Sequence, residues 1–155
     1  MRAHEMIRQA RERAGMTDIE AAARSNLSIY EYGDVESHSD EFISAIPLSA
    51  AKAICRGLHL DLAEMIMLEP IGGSDLRPDW PPDLAGLPRT MALRKRRESL
   101  GLSIAALADA IGFEDIAIEQ AEAEKDYLET LPLQVLADLA LRLQLPIGCL
   151  IAEPT

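Results

Sequence analysis

The chain has little of what marks several large functional classes. It has two cysteines, Cys55 and Cys149. That is too few for a disulfide framework or a cysteine-rich zinc site, and the expectation is a cytoplasmic protein with reduced thiols. Aromatic residues make up only 4%, which excludes an aromatic-rich core. No run approaches the 18 or so apolar residues of a membrane-spanning helix, and the amphipathic start MRAHEMIRQARERAGM lacks the apolar stretch of a signal peptide. Basic residues are scarce too: 15 Lys and Arg stand against 26 Asp and Glu, for a net charge of −11. A chain this acidic is a poor non-specific binder of nucleic acid or anionic lipid. What is plentiful is Ala, Leu, Ile and Met within a 48% apolar content. That is helical composition, and it predicts an all-α fold.

The chain contains an internal repeat. Displaced by 86 positions, Ile7-Arg8 falls on Leu93-Arg94 and Arg11-Glu12 on Arg97-Glu98. Gly15-Met16-Thr17 falls on Gly101-Leu102-Ser103, Ala22 on Ala108, and Glu36 on Glu122. After one lost residue, Ile46-Pro47-Leu48 falls on Leu131-Pro132-Leu133, and Leu58 and Leu60 on Leu143 and Leu145. Apolar class, a glycine, a proline and charge pairs are kept together, which points to duplication. The expected organisation is module 1 over 1–69, a Pro-rich semi-rigid linker over 70–89, and module 2 over 90–155. The linker holds five of the nine prolines and the single tryptophan, Trp80. Trp80 reads either as packing for the linker or as a docking residue.

Within each copy the apolar period is helical. Met6, Ile7, Ala10 and Ala14 share a face of a first helix that stops at Gly15. Thr17, with Glu20 three residues on, has the pattern of a capping box for a second helix. In the second copy Leu93 opens the first helix, Gly101 stops it and Ser103 caps the second, and Pro47 and Pro132 suit the first position of a fourth helix. About five helices per copy are expected.

A capped short helix, a tight turn and a second short helix is helix-turn-helix geometry. With Arg8-x-x-Arg11-Glu12-x-x-Gly15-Met16-Thr17, Arg94-x-x-Arg97-Glu98-x-x-Gly101-Leu102-Ser103, and the closing RGLHLDLAEMI and LRLQLPIGCLI, each copy resembles the lambda-repressor/Cro-like, or Xre-type, helix-turn-helix family. The resemblance implies two tandem five-helix modules and a transcriptional-regulator setting. It implies structural ion pairs Arg11–Glu36 and Arg97–Glu122. It also implies that the third helix enters the DNA major groove, with base-reading positions at Ile29, Tyr30 and Asp34 in copy one and Asp115, Ile116 and Gln120 in copy two. Such modules usually form two-fold dimers, so a homo-oligomer stays open.

The charges run against that DNA role. Residues 27–42 carry five carboxylates and no Lys or Arg; residues 113–130 carry seven against Lys125 alone. These 34 residues hold the entire net charge of −11. Of the base-reading positions only Gln120 has the amide that suits adenine. Glu31, Asp34, Glu114, Asp115 and Glu119 instead describe an acidic interaction surface for a basic protein partner, possible even as the DNA-binding face of another regulator. A short basic run, Arg94-Lys95-Arg96, offers a candidate positive patch. Two readings follow: a regulator-like protein whose own DNA contact is disfavoured, or a protein-interaction module without DNA binding. No nucleophile–base set, metal-ligand cluster or phosphate loop is recognisable, so neither an enzyme nor a cofactor is expected. Cys55 and His59, four residues apart, are two ligands at most, and Gly72-Gly73 stands alone.

Overall fold

The computed structural model describes residues 1–71 and 75–153. Among them the chain is all helical, with no strand. Gly72-Gly73 lies outside the described residues. The chain divides into two compact units, Met1–Gly72 with Pro132–Gln134, and Gly73–Leu131 with Val135–Thr155.

The first unit carries α1 (Ala3–Arg13), α2 (Asp18–Arg24), α3 (Ile29–Ser37), α4 (Glu41–Ser44), α5 (Leu48–Leu58) and α6 (Leu62–Met67). The helix ends follow local chemistry. Gly15, at φ +68°, turns the chain out of α1, and the Met16 amide donates back to the Arg11 carbonyl. The Thr17 hydroxyl accepts from the Glu20 amide, and the Glu20 carboxylate accepts from the Thr17 amide. Ser28 and Glu31 repeat that box at α3. Ile7, Tyr32, Val35, Phe42, Leu48 and Ile54 are fully or almost fully buried. The N-terminus of α1 is held by a pair the sequence did not announce. The Glu69 side chain, wholly buried, accepts from the Ala3 amide at 2.8 Å and from Arg2 Nε at 3.1 Å.

The second unit carries α7 (Arg89–Ser99), α8 (Ile104–Ile111), α9 (Asp115–Ala123), a 3-10 turn (Tyr127–Thr130), all but the first two residues of α10 (Leu133–Leu143), and α11 (Ile147–Ile151). Ser103 caps α8 through the Ala106 amide at 3.0 Å, and Gly101 ends α7 at φ +70°. The order matches that of the first unit, and α1 with α7, α3 with α9, and α5 with α10 are equal in length. Left-handed residues also recur at equivalent places: Asn26 with Gly112, and His59 with Gln144. Backbone conformation thus follows the repeat even where the side chain does not.

Three expectations need correction. Copy one has six helices rather than five, the addition being the four-residue α4, while copy two has five α-helices with a 3-10 turn between its third and fourth. Pro47 precedes α5 instead of opening it, extended at ψ 156°. And the first helix of copy two starts at Arg89, not near Leu93, with Pro88 just before it. Arg89 therefore leaves the linker. Residues 75–88 form no helix, yet they are folded into the second unit. Leu84 is fully buried, the Gly148 amide donates to the Asp75 carbonyl at 3.1 Å, and Lys95 Nζ donates to the Asp83 carbonyl at 2.9 Å. Trp80 is half-buried.

Candidate functional site

In the first unit the second and third helices are joined by Ser25–Ser28. The turn is held by the Asn26 amide donating to the Ala23 carbonyl and the Leu27 amide to the Ala22 carbonyl. Asn26 supplies the left-handed step at φ 56°. Ala21 and Ala22 are buried, and their small side chains let α2 lie close against α3. The second unit uses Gly112 for the same step, with Leu107 and Ala108 buried.

This packing decides which side chains face out. On α3, Tyr30 is 83% and Ile29 41% exposed, and Glu31 and Asp34 are exposed. On α9, Ile116 is 57% exposed; Glu114, Asp115 and Glu119 are exposed, and Gln120 is half-buried. All five carboxylates of the acidic surface therefore meet solvent. They are not equally occupied. The Glu31 carboxylate accepts the Ser28 amide, and that bond holds its pKa below the ordinary range. Asp34 has His38 Nε2 at 3.9 Å.

The inward carboxylates are Glu36 and Glu122. Arg11 Nε and Nη2 donate to Glu36 at 2.8 and 3.0 Å, and Arg11 Nη1 donates to the Met16 carbonyl. Arg97 Nε and Nη2 donate to Glu122 at 3.1 and 2.8 Å, and Arg97 Nη1 to the Leu102 carbonyl. Each guanidinium thus ties its first helix to the third and to the turn before the second. The carboxylate bond raises the pKa of both arginines. Tyr32, which takes the place of Ile118 in the other copy, lies buried beside the Glu36–Arg11 pair. Burial first, and the Glu36 carboxylate second, push its phenol upward.

The basic run is unevenly exposed. Arg94 is exposed, with Glu98 at 4.0 Å and Glu122 at 3.9 Å. Lys95 is bonded to the Asp83 carbonyl, and Arg96 is half-buried with Nε enclosed and without a hydrogen-bond partner. The functional-looking cation that the sequence reading missed is Arg89. It is 3% exposed, donates from Nη1 to the Leu150 carbonyl at 2.7 Å, and has Glu129 at 3.7 Å from Nη2. Burial lowers its pKa against the pull of Glu129. Its role is to clamp the start of α7 to the end of α11.

Among the described residues no group of three or more His, Cys, Asp or Glu is placed to hold a metal ion. Cys55 and Cys149 are both buried, which pushes each thiol up to about 12. His59, the candidate companion of Cys55, is exposed at the end of α5. No described helix is long and apolar enough to cross a membrane. Comparison with family models, curated proteins and solved structures finds no match to this chain.

Proposed function

We propose that each unit is a degenerate lambda-repressor/Cro-like helix-turn-helix module, and that the chain is a regulator-like protein whose third helices meet a basic protein surface instead of duplex DNA. One observation carries the proposal. Glu31, Asp34, Glu114, Asp115 and Glu119 are exposed on α3 and at α9, while Arg11 and Arg97 are committed internally to Glu36 and Glu122. No cation on α3 or α9 faces solvent to meet a phosphate. A like-charge contact near 4 Å costs roughly 1 kcal/mol even in water, and DNA binding ordinarily draws its affinity from Lys and Arg neutralising phosphates. A protein surface rich in Lys and Arg gains from the same charges.

The test is retention on heparin and on immobilised duplex DNA at low salt. Negligible retention is expected. An affinity for duplex that falls steeply with salt overturns the protein-contact reading and restores groove binding. Reversal of Glu119 or Asp34 to Lys is expected to create weak, salt-sensitive retention without unfolding the protein.

A further inference from the structure

The two acidic faces differ in what accompanies the charge. In the second unit Ile116 is the only large apolar residue of α8 or α9 that is strongly exposed. In the first unit there are three on α2 and α3: Ile19 at 64%, Ile29 at 41% and Tyr30 at 83%. Ile19 is the second residue of α2; Ile29 and Tyr30 open α3. All three thus sit at the N-terminal ends of two short helices joined by four residues. Single exposed apolar residues are ordinary on a protein surface. The same two helices also expose Asp18, Glu20, Glu31 and Asp34 against one cation, Arg24 at the far end of α2, and exposed apolar side chains on an acidic pair of helices suit an apolar anchor with a charged rim.

Building on the protein-contact reading above, we infer that the α2–α3 face of the first unit is the anchoring site, and that its occupant is a basic amphipathic helix of another protein. An amphipathic helix presents an apolar stripe flanked by polar residues. Its stripe would cover Ile19, Ile29 and Tyr30, and flanking Lys or Arg would face Asp18 and Asp34. The charge selects this occupant over the alternatives. A second copy of the chain would bring another net charge of −11, and an anionic membrane would meet the same carboxylates. Tyr30 is the central contact, because an exposed tyrosine offers large area at low cost in side-chain freedom. The α9 face, with one isoleucine among its carboxylates, adds charge rather than anchorage.

The probe is a labelled amphipathic peptide of Lys and Leu at helical spacing, read by fluorescence anisotropy against the full chain. An oligolysine with the same number of lysines is the control. The amphipathic peptide is expected to bind at least about tenfold tighter than oligolysine. Tyr30→Ala and, separately, Ile29→Ala are each expected to weaken it by about tenfold, while Ile116→Ala changes it less than about twofold. Circular dichroism melts confirm that each variant folds. If oligolysine binds equally well, or Tyr30→Ala and Ile29→Ala leave affinity unchanged while Glu119→Lys abolishes it, the anchor is overturned and the acidic-surface reading stands. If neither peptide binds, or duplex DNA binds at α3, both fall.

Discussion

Removing Arg97 should damage the protein far more than reversing any charge on the acidic face. The Arg97 and Glu122 side chains are 9% and 6% exposed. In Arg97→Ala, Glu122 keeps an enclosed carboxylate whose nearest remaining cation is the mostly exposed Arg94, 3.9 Å away. The Leu102 carbonyl also loses its donor at 2.9 Å. Leaving one partner of a shielded pair uncompensated costs about 3–5 kcal/mol. That is a large share of the ~5–15 kcal/mol that holds a domain folded. Glu119→Lys, on an exposed position, should stay within about 0.5 kcal/mol of the parent. The assay is urea unfolding followed by circular dichroism, with Arg97→Ala, Glu122→Gln, the double variant Arg97→Met/Glu122→Leu, and Glu119→Lys side by side. The double variant should recover much of the loss, because it removes both charges and fills the space. If Arg97→Ala unfolds with Glu119→Lys, or the double variant is no better than the sum of the singles, the pair is solvated and the assignment of inward and outward carboxylates is wrong.

Further outcomes test the parts around that pair. Glu69→Ala should destabilise the first unit by about 1–3 kcal/mol, since the buried Ala3 amide loses its acceptor; hydrogen exchange in the first turn of α1 should rise with it. Gly148→Ala should cost about 1–3 kcal/mol, because a Cβ at that position runs into the Leu76 and Arg77 carbonyls, and a shift in Trp80 fluorescence would report displacement of residues 75–88. Cys55 and Cys149 should resist thiolate-directed labelling at mildly alkaline pH until the chain opens, since burial pushes both to about 12. The thiols stay protonated in the fold but ionise near 9 once unfolded. Their contribution to stability is therefore full below about pH 9 and lost as pH rises toward about 12; fast labelling at pH 8 in the absence of denaturant would contradict their enclosure.

The parts of this fold that could be read in advance are those fixed by a few adjacent residues. Thr17 with Glu20, Ser103 at its helix start, and Gly15 with Gly101 at helix ends all act within one turn of chain, so the pattern is itself the cause. What escaped notice depends on residues far apart or on elements too short to have a period. Helix α4 and the 3-10 turn are four residues each, with no side-chain cap, and no apolar rhythm can announce them. The start of α7 was hidden because Pro88 looks like linker and its first turn, Arg89-Thr90-Met91, carries no clear stripe. Arg89 looked like one more linker cation; only its bond to Leu150, sixty-one positions away, shows it as a clamp. For the same reason the basic run gave no sign that Arg96 is half-buried or that Lys95 donates to a carbonyl of the segment before it. Exposure of Ile19 was equally invisible, because an isoleucine opening a helix reads as core.

The difference between the copies has a physical logic of its own. The two units keep the same ion pair, the same left-handed turns and equal lengths in three pairs of helices. Those features hold helices together whatever the surface does, and they constrain side chains that point inward. The outward positions are free of that constraint, and there the copies part, although one buried position also differs, Tyr32 against Ile118. Tyr30 stands where Ile116 stands, and Asp34 where Gln120 stands. Each copy also closes its first helix differently, by Glu69 accepting from Ala3 and Arg2 in one, and by Arg89 donating to Leu150 in the other. Under the proposed function, two units that keep the same ion pair while their exposed third-helix faces differ are expected to use those faces for separate contacts. Exchanging only the pair Ile29-Tyr30 with Asp115-Ile116, which leaves the buried Tyr32 and Ile118 in place, would therefore keep both units folded and carry two of the three anchor residues to the second unit. Binding of the basic amphipathic peptide should follow Tyr30, not the unit that carries it.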